Sequence, residues 1–267
     1  MTFTGFEVSF GLFSIIAFGI ISLKLKIVDF SGFIAGLGIG WMIFIFGGWR
    51  WFILILTFHI VAGLSTKYKY EVKRKKGVAE EKRGARAWSN VLANGSMASL
   101  LAILNVYNLN EIAFAGYLGA VSTAIADTLA TEIGLLSPQE PRSIINFKKV
   151  LSGTSGGVSL LGEIATITSA ALIGAIAYLT QEQNWSLLTI LSISVISGLV
   201  GSTFDSVIGA TLQAQYKCIK CGKNTEKSRH CGKPSIKIKG HRWIDNNIVN
   251  LISIGVGAAI GIFLFFM

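Results

Sequence analysis

The sequence has little charge: of its 267 residues only 14% are Asp, Glu, Lys or Arg, whereas 52% are apolar. Soluble globular domains average about 25% charged residues, so this chain has too few to cover a water-facing surface. With three cysteines it also has too few for a disulfide scaffold. Its mean hydropathy is +0.60. These values exclude a disordered chain and an ordinary soluble enzyme, and they predict an integral membrane protein.

Eight apolar segments are candidates to cross the membrane, since about 20 mostly apolar residues span about 30 Å of hydrocarbon. The second and third are separated by a few residues at 47–50, which predicts a tight turn. No basic region precedes the first segment and no cleavage site follows it, so we expect a retained helix. The predicted fold class is all-α, a polytopic membrane helix bundle. The segments are 8–23, 31–48, 51–66, 88–106, 112–135, 158–180, 185–212 and 247–267.

The basic residues predict how the chain is oriented. With both termini outside, the four inner loops carry 23 of the 24 Lys and Arg residues, and Arg50 is the exception. The basic run 67–76 favours contact with anionic lipid headgroups, and it lacks the interleaved aromatic residues that would indicate nucleic-acid binding. We therefore expect a cytoplasmic active site. The predicted regions are a three-helix membrane segment (1–66), a basic cytoplasmic loop (67–87), a catalytic membrane core (88–212), a cysteine-bearing cytoplasmic loop (213–245) and a C-terminal transmembrane helix (246–267).

Acidic residues lie within the apolar segments, where charge is costly and indicates function. Asp127, Glu132 and Asp205 all lie toward the predicted cytoplasmic half, and the pair Asp127–Thr128 is echoed by Asp205–Ser206. Three oxygen ligands on one face suit Mg²⁺, which in turn suits phosphate. The alternative is helix packing through hydrogen bonds to nearby Ser and Thr, and for a fourth acid, Glu163, the two interpretations weigh equally.

A glycine-rich turn, residues 151–159, opens the sixth segment on the same side. Glycines let backbone N–H groups approach an anion, and a helix N-terminus carries partial positive charge. The turn is not a Walker A loop, because it lacks the Gly-Lys-Ser/Thr ending. The alternative interpretation is a flexible turn that leads into a packed helix. Residues 245–250 either bind ligand or cap the eighth helix. The predicted phosphate-binding residues are Arg83, Arg86, Asn94, Thr128, Lys149, Gly153, Thr154, Ser155, Gly156, Gly157, Ser159, Ser206, Asp245, Asn246, Asn247 and Asn250.

All three cysteines lie in the last inner loop. Cys218 and Cys221 form a Cys-x-x-Cys pair, and His230-Cys231 follows nine residues later. This spacing predicts a tetrahedral zinc site with three thiolates and one histidine, and His241 is an alternative fourth ligand. A closed four-ligand site would be structural, because it leaves no open position for catalysis. Such a metal would order a Lys-rich loop that is otherwise poorly ordered. A redox dithiol and chance spacing are the competing interpretations.

Five motifs follow one another along most of the chain. They are 86–95 (RAWSNVLANG), 126–134 (ADTLATEIG), 153–162 (GTSGGVSLLG), 205–213 (DSVIGATLQ) and 245–250 (DNNIVN). In this order they resemble the transmembrane protein 19 family, which includes the phytyl-phosphate kinase of plant tocopherol synthesis. The resemblance implies a multi-span enzyme that phosphorylates an isoprenyl monophosphate to the diphosphate, with CTP as the donor.

Residues and resemblance lead to one hypothesis. The cytoplasmic ends of the fourth to eighth segments form a polar pocket, and the isoprenyl tail lies among apolar helices. Asp127, Glu132 and Asp205 hold Mg²⁺ on the nucleotide phosphates while the glycine-rich turn cradles phosphate. Two alternatives stay open: nucleotidyl transfer to a lipid phosphate, and an ion or phosphate transporter. The sequence does not decide between CTP and ATP, nor does it give the oligomeric state.

Overall fold

The computed structural model describes residues 5–107, 109–222, 224–226 and 228–267, without the side chains of Phe6, Glu81 and His230. It confirms a polytopic helical bundle. Within those residues, seven helices are long and apolar enough to cross a membrane. They are α1 (Gly5–Lys24), α2 (Phe30–Lys67), α4 (Trp88–Leu104), α5 (Asn110–Gly134), α6 (Leu160–Thr180), α7 (Leu187–Thr211) and α8 (Asn246–Phe265), with a short α3 (Tyr70–Lys76) between α2 and α4.

Helix α2 is folded in two at Gly48. Its 38 residues would extend about 57 Å if straight, nearly twice the hydrocarbon thickness. Gly48 has φ 79° and ψ 178°, a conformation open to glycine. The arms 30–47 and 49–67 run antiparallel, because Lys67 at the end of α2 donates to the carbonyl of Lys26 just before its start, at 3.2 Å. The seven helices therefore contain the eight predicted apolar segments, and the predicted turn is confirmed.

Helix α5 occupies the centre of the bundle, packed against α2, α4, α6, α7 and α8. All its residues from 113 to 126 are buried, and none of them is charged. A helix that is apolar all round belongs in a core. Small residues allow close approach: Gly119 packs on the backbone of Gly257 in α8, and Ala126 on Gly198 in α7. This packing fixes the relative heights of α5, α7 and α8, which carry the acidic residues.

The two ends of the bundle differ in charge. The basic end, as we name it, holds 21 of the 22 Lys and Arg residues that the structure describes, in its loops and the adjoining helix turns. At the opposite end Arg50 forms an ion pair with Glu182. That pairing gives the one basic residue outside the predicted inner loops a local counter-charge. As far as the structure describes them, the loops of the basic end are 25–29, 68–87, 135–159, 212–222, 224–226 and 228–245.

Short strands in the loops of the basic end were not predicted. β1 (Arg142–Ser143) pairs antiparallel with β2 (Gly157–Val158) across the base of the glycine-rich turn. Four further strands form an antiparallel sheet in the order β4-β3-β6-β5, with Tyr216 opposite Lys237. Most of these strands have two residues, too few for a period-2 hydrophobic pattern to show. The four are β3 (Gln215–Cys218), β4 (Asn224–Thr225), β5 (Arg229–His230) and β6 (Lys233–Lys239).

Candidate active site

A cavity of about 510 Å³ reaches from the basic end into the bundle. Its apolar wall comes from α1 and both arms of α2, and includes Ile15, Phe18, Phe33, Leu37, Phe52 and Leu56. Its polar wall comes from α4 to α8 and the loops between them, and includes Arg86, Asn94, Asp127, Thr128, Glu132, residues 152–159, Glu163, Asp205, Ser206, Gln213, Glu226, Asn246, Asn247 and Asn250. Most of the predicted site residues thus share one cavity.

Asp127 and Asp205 face this cavity from the neighbouring helices α5 and α7. Each is half-buried. The hydroxyl of Ser202 lies near the carboxyl of Asp127, and the hydroxyl of Ser253 on α8 donates to Oδ2 of Asp205 at 3.0 Å. Two carboxylates on one partly dry cavity repel each other when both are charged. The arrangement therefore favours a positive charge between them.

Glu132 lies one turn beyond Asp127, within an ion-pair cluster. Lys73 of α3 is 1% exposed, and its Nζ lies 2.6 Å from Oε2 of Glu132, itself 2% exposed. Arg86 approaches the other oxygen, Oε1, at 3.4 Å. Both carboxylate oxygens of Glu132 are thus engaged by cations of the protein. Within the described residues, Glu132 is not gathered with Asp127 and Asp205 into one set of ligand atoms.

Arg86 is held at the cavity by its backbone as well as its side chain. Its amide donates to the carbonyl of Ile27 at 2.9 Å, and its carbonyl accepts from the amide of Asp29 at 3.0 Å. Hydrogen bonds from Ser31 and from the backbone at position 32, with a nearby lysine, lower the pKa of Asp29 to about 2. The ionised Asp29 caps α2. The guanidinium also contacts Glu80 at 3.1 Å. Backbone and side-chain contacts together therefore hold Arg86 in position at the cavity wall.

The role of Lys73 was missed, because the basic run 67–76 was interpreted as topology and lipid contact. The run includes a helix whose Lys73 and Lys76 lie three residues apart on one face. Lys76 donates to the carbonyls of Leu135 and Ser137 at 2.9 and 3.2 Å, and so satisfies the C-terminal end of α5. The spacing places Lys73 and Lys76 on one face of α3, but it gives no sign that Lys73 is buried while Lys75 and Lys76 are exposed.

The glycine-rich turn forms the cavity wall next to α7. Gly156 has φ 75°, and a Cβ there would collide with Ala210 and the backbone of Ser206. Ser155 donates to Oε1 of Glu226 at 2.7 Å, which ties the turn to the cysteine-bearing loop. Ser159 is the N-cap of α6. Residues 152–159 thus line the cavity, and a side chain at Gly156 would keep the turn from packing this closely against α7.

The start of α8 lines the cavity with carboxamides. Asp245 is the N-cap, since its Oδ1 accepts from the amide of Ile248 at 3.0 Å. Asn250, one turn into the helix, is 7% exposed and its Oδ1 has no hydrogen-bond partner among the described residues. The same holds for Nε2 of Gln213. Both residues border the cavity, so an acceptor and a donor are buried there unpaired.

Three of the predicted phosphate-binding residues lie outside the described cavity wall. Arg83 is exposed on the loop before α4. Lys149 lies 3.6 Å from Glu140 on the surface. Asp245 is occupied by its capping role. Among the Lys and Arg residues that the structure describes, Arg86 is the one that lines the cavity.

The three cysteines come together at the ends of two hairpins of the four-stranded sheet. The sulfur atoms of Cys218, Cys221 and Cys231 all lie within 4.8 Å of one another, a spacing compatible with a structural metal. The side chain of His230, the predicted fourth ligand, lies outside the described residues. The ring of His241 packs against Trp243 with centroids 6.1 Å apart, and within the described residues it is not part of the cysteine group.

The chain is similar to known proteins over nearly its whole length. The family described as integral membrane protein DUF92 matches residues 13–258. Protein PGR of Arabidopsis thaliana is 32% identical, over 90% of this chain and 89% of the relative. An uncharacterized membrane protein of Methanocaldococcus jannaschii is 30% identical, over 91% and 87%. Protein VTE6, chloroplastic, of Arabidopsis thaliana is 24% identical, over 79% and 57%. No solved structure matches the chain.

Proposed function

Since the chain belongs to the DUF92 family of integral membrane proteins, we propose that it is a membrane kinase. Its reaction converts an isoprenyl monophosphate into the diphosphate, with a nucleoside triphosphate and Mg²⁺. The observation that carries the proposal is one cavity with a charged polar wall and an apolar wall. The relative VTE6 supports a prenyl-phosphate kinase, and the motif resemblance favours CTP as the donor over ATP.

The apolar wall suits the tail of the acceptor. It lies on α1 and α2, among the helices with many exposed apolar side chains. An isoprenyl chain has no hydrogen-bonding groups, so its burial there is driven by apolar area removed from water. Its phosphate would lie where the two walls meet, near Arg86. A guanidinium matches phosphate geometry with two parallel N–H donors.

Asp127 and Asp205 would hold Mg²⁺ on the nucleotide phosphates, where it supplies charge neutralisation. Mg²⁺ sites in phosphoryl-transfer enzymes use one or two carboxylates, with phosphate and water oxygens completing the shell. These two aspartates supply that number, and both line the cavity from the neighbouring helices α5 and α7. We assign Glu132 to a different task within the same site, since Lys73 and Arg86 engage its oxygens. There it holds Arg86 at the cavity.

The glycine-rich turn and the buried Gln213 would bind the phosphates of the donor. Backbone amides of the turn and the hydroxyl of Thr154 would donate to the anion at the start of α6, while the hydroxyl of Ser155 is already donated to Glu226. The unpaired Nε2 of Gln213 adds a donor that needs an acceptor. Thr128, Ser206, Asn94, Asn246 and Asn247 line the same cavity and complete the proposed binding site.

In the reaction, an oxygen of the acceptor phosphate forms a bond to the γ-phosphorus. The bond between that phosphorus and the β–γ bridging oxygen breaks, and the nucleoside diphosphate leaves with the electron pair. The acceptor oxygen is already ionised, so no strong general base is needed. Positioning and charge neutralisation then supply most of the rate, as in other phosphoryl transfers.

We propose a structural zinc ion bound by Cys218, Cys221, Cys231 and His230. Three thiolates at this spacing suit zinc, and a fourth protein ligand closes the site against chemistry. The residues fit the ion, because a tight turn brings Cys218 and Cys221 together. In this turn the amide of Gly222 donates to the carbonyl of Cys218 at 2.9 Å. Its task would be to hold the sheet that places Glu226 against the glycine-rich turn.

The basic end would face the cytoplasm, with both termini outside. Cytoplasmic loops carry an excess of Lys and Arg in membrane proteins, and this end holds 21 of the 22 that the structure describes. A cytoplasmic cavity would also meet nucleotides where they are abundant. Cysteine accessibility to a membrane-impermeant reagent, at single cysteines introduced into each loop, would test the assignment.

Product analysis tests the proposed activity. Purified protein in detergent is incubated with Mg²⁺, CTP or ATP, and isoprenyl monophosphates of several lengths, and products are resolved by mass. An isoprenyl diphosphate with release of CDP or ADP supports the kinase and identifies the donor. A lipid bearing a cytidylyl group would contradict it and establish nucleotidyl transfer. No product from folded protein, together with phosphate or ion flux in proteoliposomes, would contradict it and establish a transporter.

A further inference from the structure

Asn250 is the buried carboxamide of α8 whose oxygen lacks a partner. It is 7% exposed, it borders the cavity, and no described residue donates a hydrogen bond to its Oδ1. A buried acceptor left unpaired loses its bonds to water without gaining a hydrogen bond in return. Such an atom in a native site indicates a ligand that supplies positive charge or a donor.

Helix packing puts Asn250 level with the aspartate pair. Helices α5 and α8 run antiparallel and touch at Gly119 and Gly257. Asp127 lies eight residues further along α5 from that contact, and Asn250 seven residues back along α8, which are about 12 and 10.5 Å at 1.5 Å per residue. Ser253, one turn from Asn250, reaches Asp205. The three oxygen-bearing side chains therefore meet at one height, on three helices that are packed together.

Acceptors outnumber donors at this height. Asp127 and Asp205 contribute four carboxylate oxygens, and among the described residues Ser253 donates to one of them, at 3.0 Å. Arg86, the cation of the cavity wall, is shared between Glu80 and Glu132. A site with surplus oxygen acceptors and little positive charge suits a hard divalent cation, which accepts carboxylate and carboxamide oxygens alike.

We propose that Oδ1 of Asn250 is the third protein ligand of a divalent cation bound by Asp127 and Asp205. This inference deepens the proposed function and rests on its assignment of a cation to the aspartate pair. It gives Asn250 the place that the sequence hypothesis gave to Glu132. It also explains why a carboxamide is buried without a partner beside two carboxylates.

The test is Mn²⁺ binding to the detergent-purified protein without nucleotide or lipid, measured by electron paramagnetic resonance. We expect the wild type to bind Mn²⁺ in competition with Mg²⁺. Asn250→Ala should weaken binding at least about tenfold, whereas Asn250→Asp, which keeps an oxygen at the position, should bind as tightly as the wild type or more tightly. Asn146→Ala, an exposed asparagine outside the cavity at the same end, should leave binding unchanged.

Unchanged binding in folded Asn250→Ala would overturn the proposal. So would equal losses in Asn250→Ala and Asn250→Asp, because that result would assign the role to the amide nitrogen. Absence of Mn²⁺ binding by the wild type would overturn it as well. Since the measurement needs no substrate, Mn²⁺ binding with the expected variant pattern but without kinase activity would contradict the proposed function and leave the cation site standing.

Discussion

The two walls of the cavity are held in place to very different degrees. Of an 18-residue apolar stretch in each helix, 78% is buried inside the protein in α5, at the centre of the polar wall, and 17% in α1, in the apolar wall. The polar wall is also joined by specific contacts, such as Lys73 to Glu132 and Ser253 to Asp205. The apolar wall is held mainly by apolar side chains packed across α1 and α2.

This difference matches what each wall has to do under the proposed function. Phosphoryl transfer depends on charges fixed before the substrate arrives, so the polar wall has to be rigid. An isoprenyl tail needs apolar area but no fixed partner atoms, so the apolar wall can remain open to lipid. The predictions below alter one wall at a time.

The largest effect is expected from the aspartates. Asp127→Asn or Asp205→Asn keeps the shape of the polar wall and removes a charge, and should lower kcat roughly 10³-fold. Diphosphate formation by each purified variant checks this. Glu182→Gln, a carboxylate at the opposite end, should keep wild-type activity. Full activity in both aspartate variants, in correctly inserted protein, would show that the polar wall does not perform the chemistry.

Next in size is a loss of stability in Lys73→Met. The change leaves Glu132 charged and buried without its main partner, which costs about 3–5 kcal/mol for a broken buried pair. Thermal unfolding in detergent should show a clear fall in Tm. Lys75→Met is the matched control on the exposed face of α3, and its Tm should equal that of the wild type. Equal Tm values for the two variants would show that the cluster does not support the polar wall.

A smaller effect is expected from filling the apolar wall. Leu37→Trp should lower kcat/KM for long isoprenyl monophosphates roughly tenfold relative to short ones, because it shortens the space for the tail. Kinetics with a chain-length series measure this ratio. Ile34→Trp, on the exposed side of the same arm, should leave the ratio unchanged. A uniform loss for all lengths would place the tail elsewhere.

The smallest effect is expected at the cysteine-bearing loop. A zinc chelator should lower Tm modestly and make all three thiols reactive, because the metal staples a small sheet at the surface. Thiol titration and metal analysis measure both changes. Cys218→Ser should start at the lower Tm and be insensitive to the chelator. Wild-type protein that contains no zinc when purified without chelator would contradict the staple.

The sequence predicted the framework and most of the polar wall. Long apolar runs specify membrane helices, and residues 47–50 leave room for nothing but a turn. Asp127 and Asp205 stood out because charge within an apolar run is costly. The glycine-rich turn and the amides of α8 were predicted by residue type, and the structure brings both to the cavity.

What the sequence could not predict depends on tertiary contacts. Lys73 looks like any lysine of a basic run until α3 packs on α5 and buries it. The ion pairs of Glu132 join residues 59 and 46 positions apart, which no local pattern encodes. The apolar wall was missed because the pocket was expected from the fourth to eighth segments, and an apolar run does not tell which of its faces meets a cavity.

The most direct test of the central claim is the fate of each phosphate of the donor. The protein is incubated with Mg²⁺, an isoprenyl monophosphate, and CTP labelled at either the γ- or the α-phosphorus, and the lipid product is extracted. The account predicts that the γ-label enters the lipid and the α-label remains in water-soluble CDP. Transfer of the α-label to the lipid, or of neither label, would contradict it.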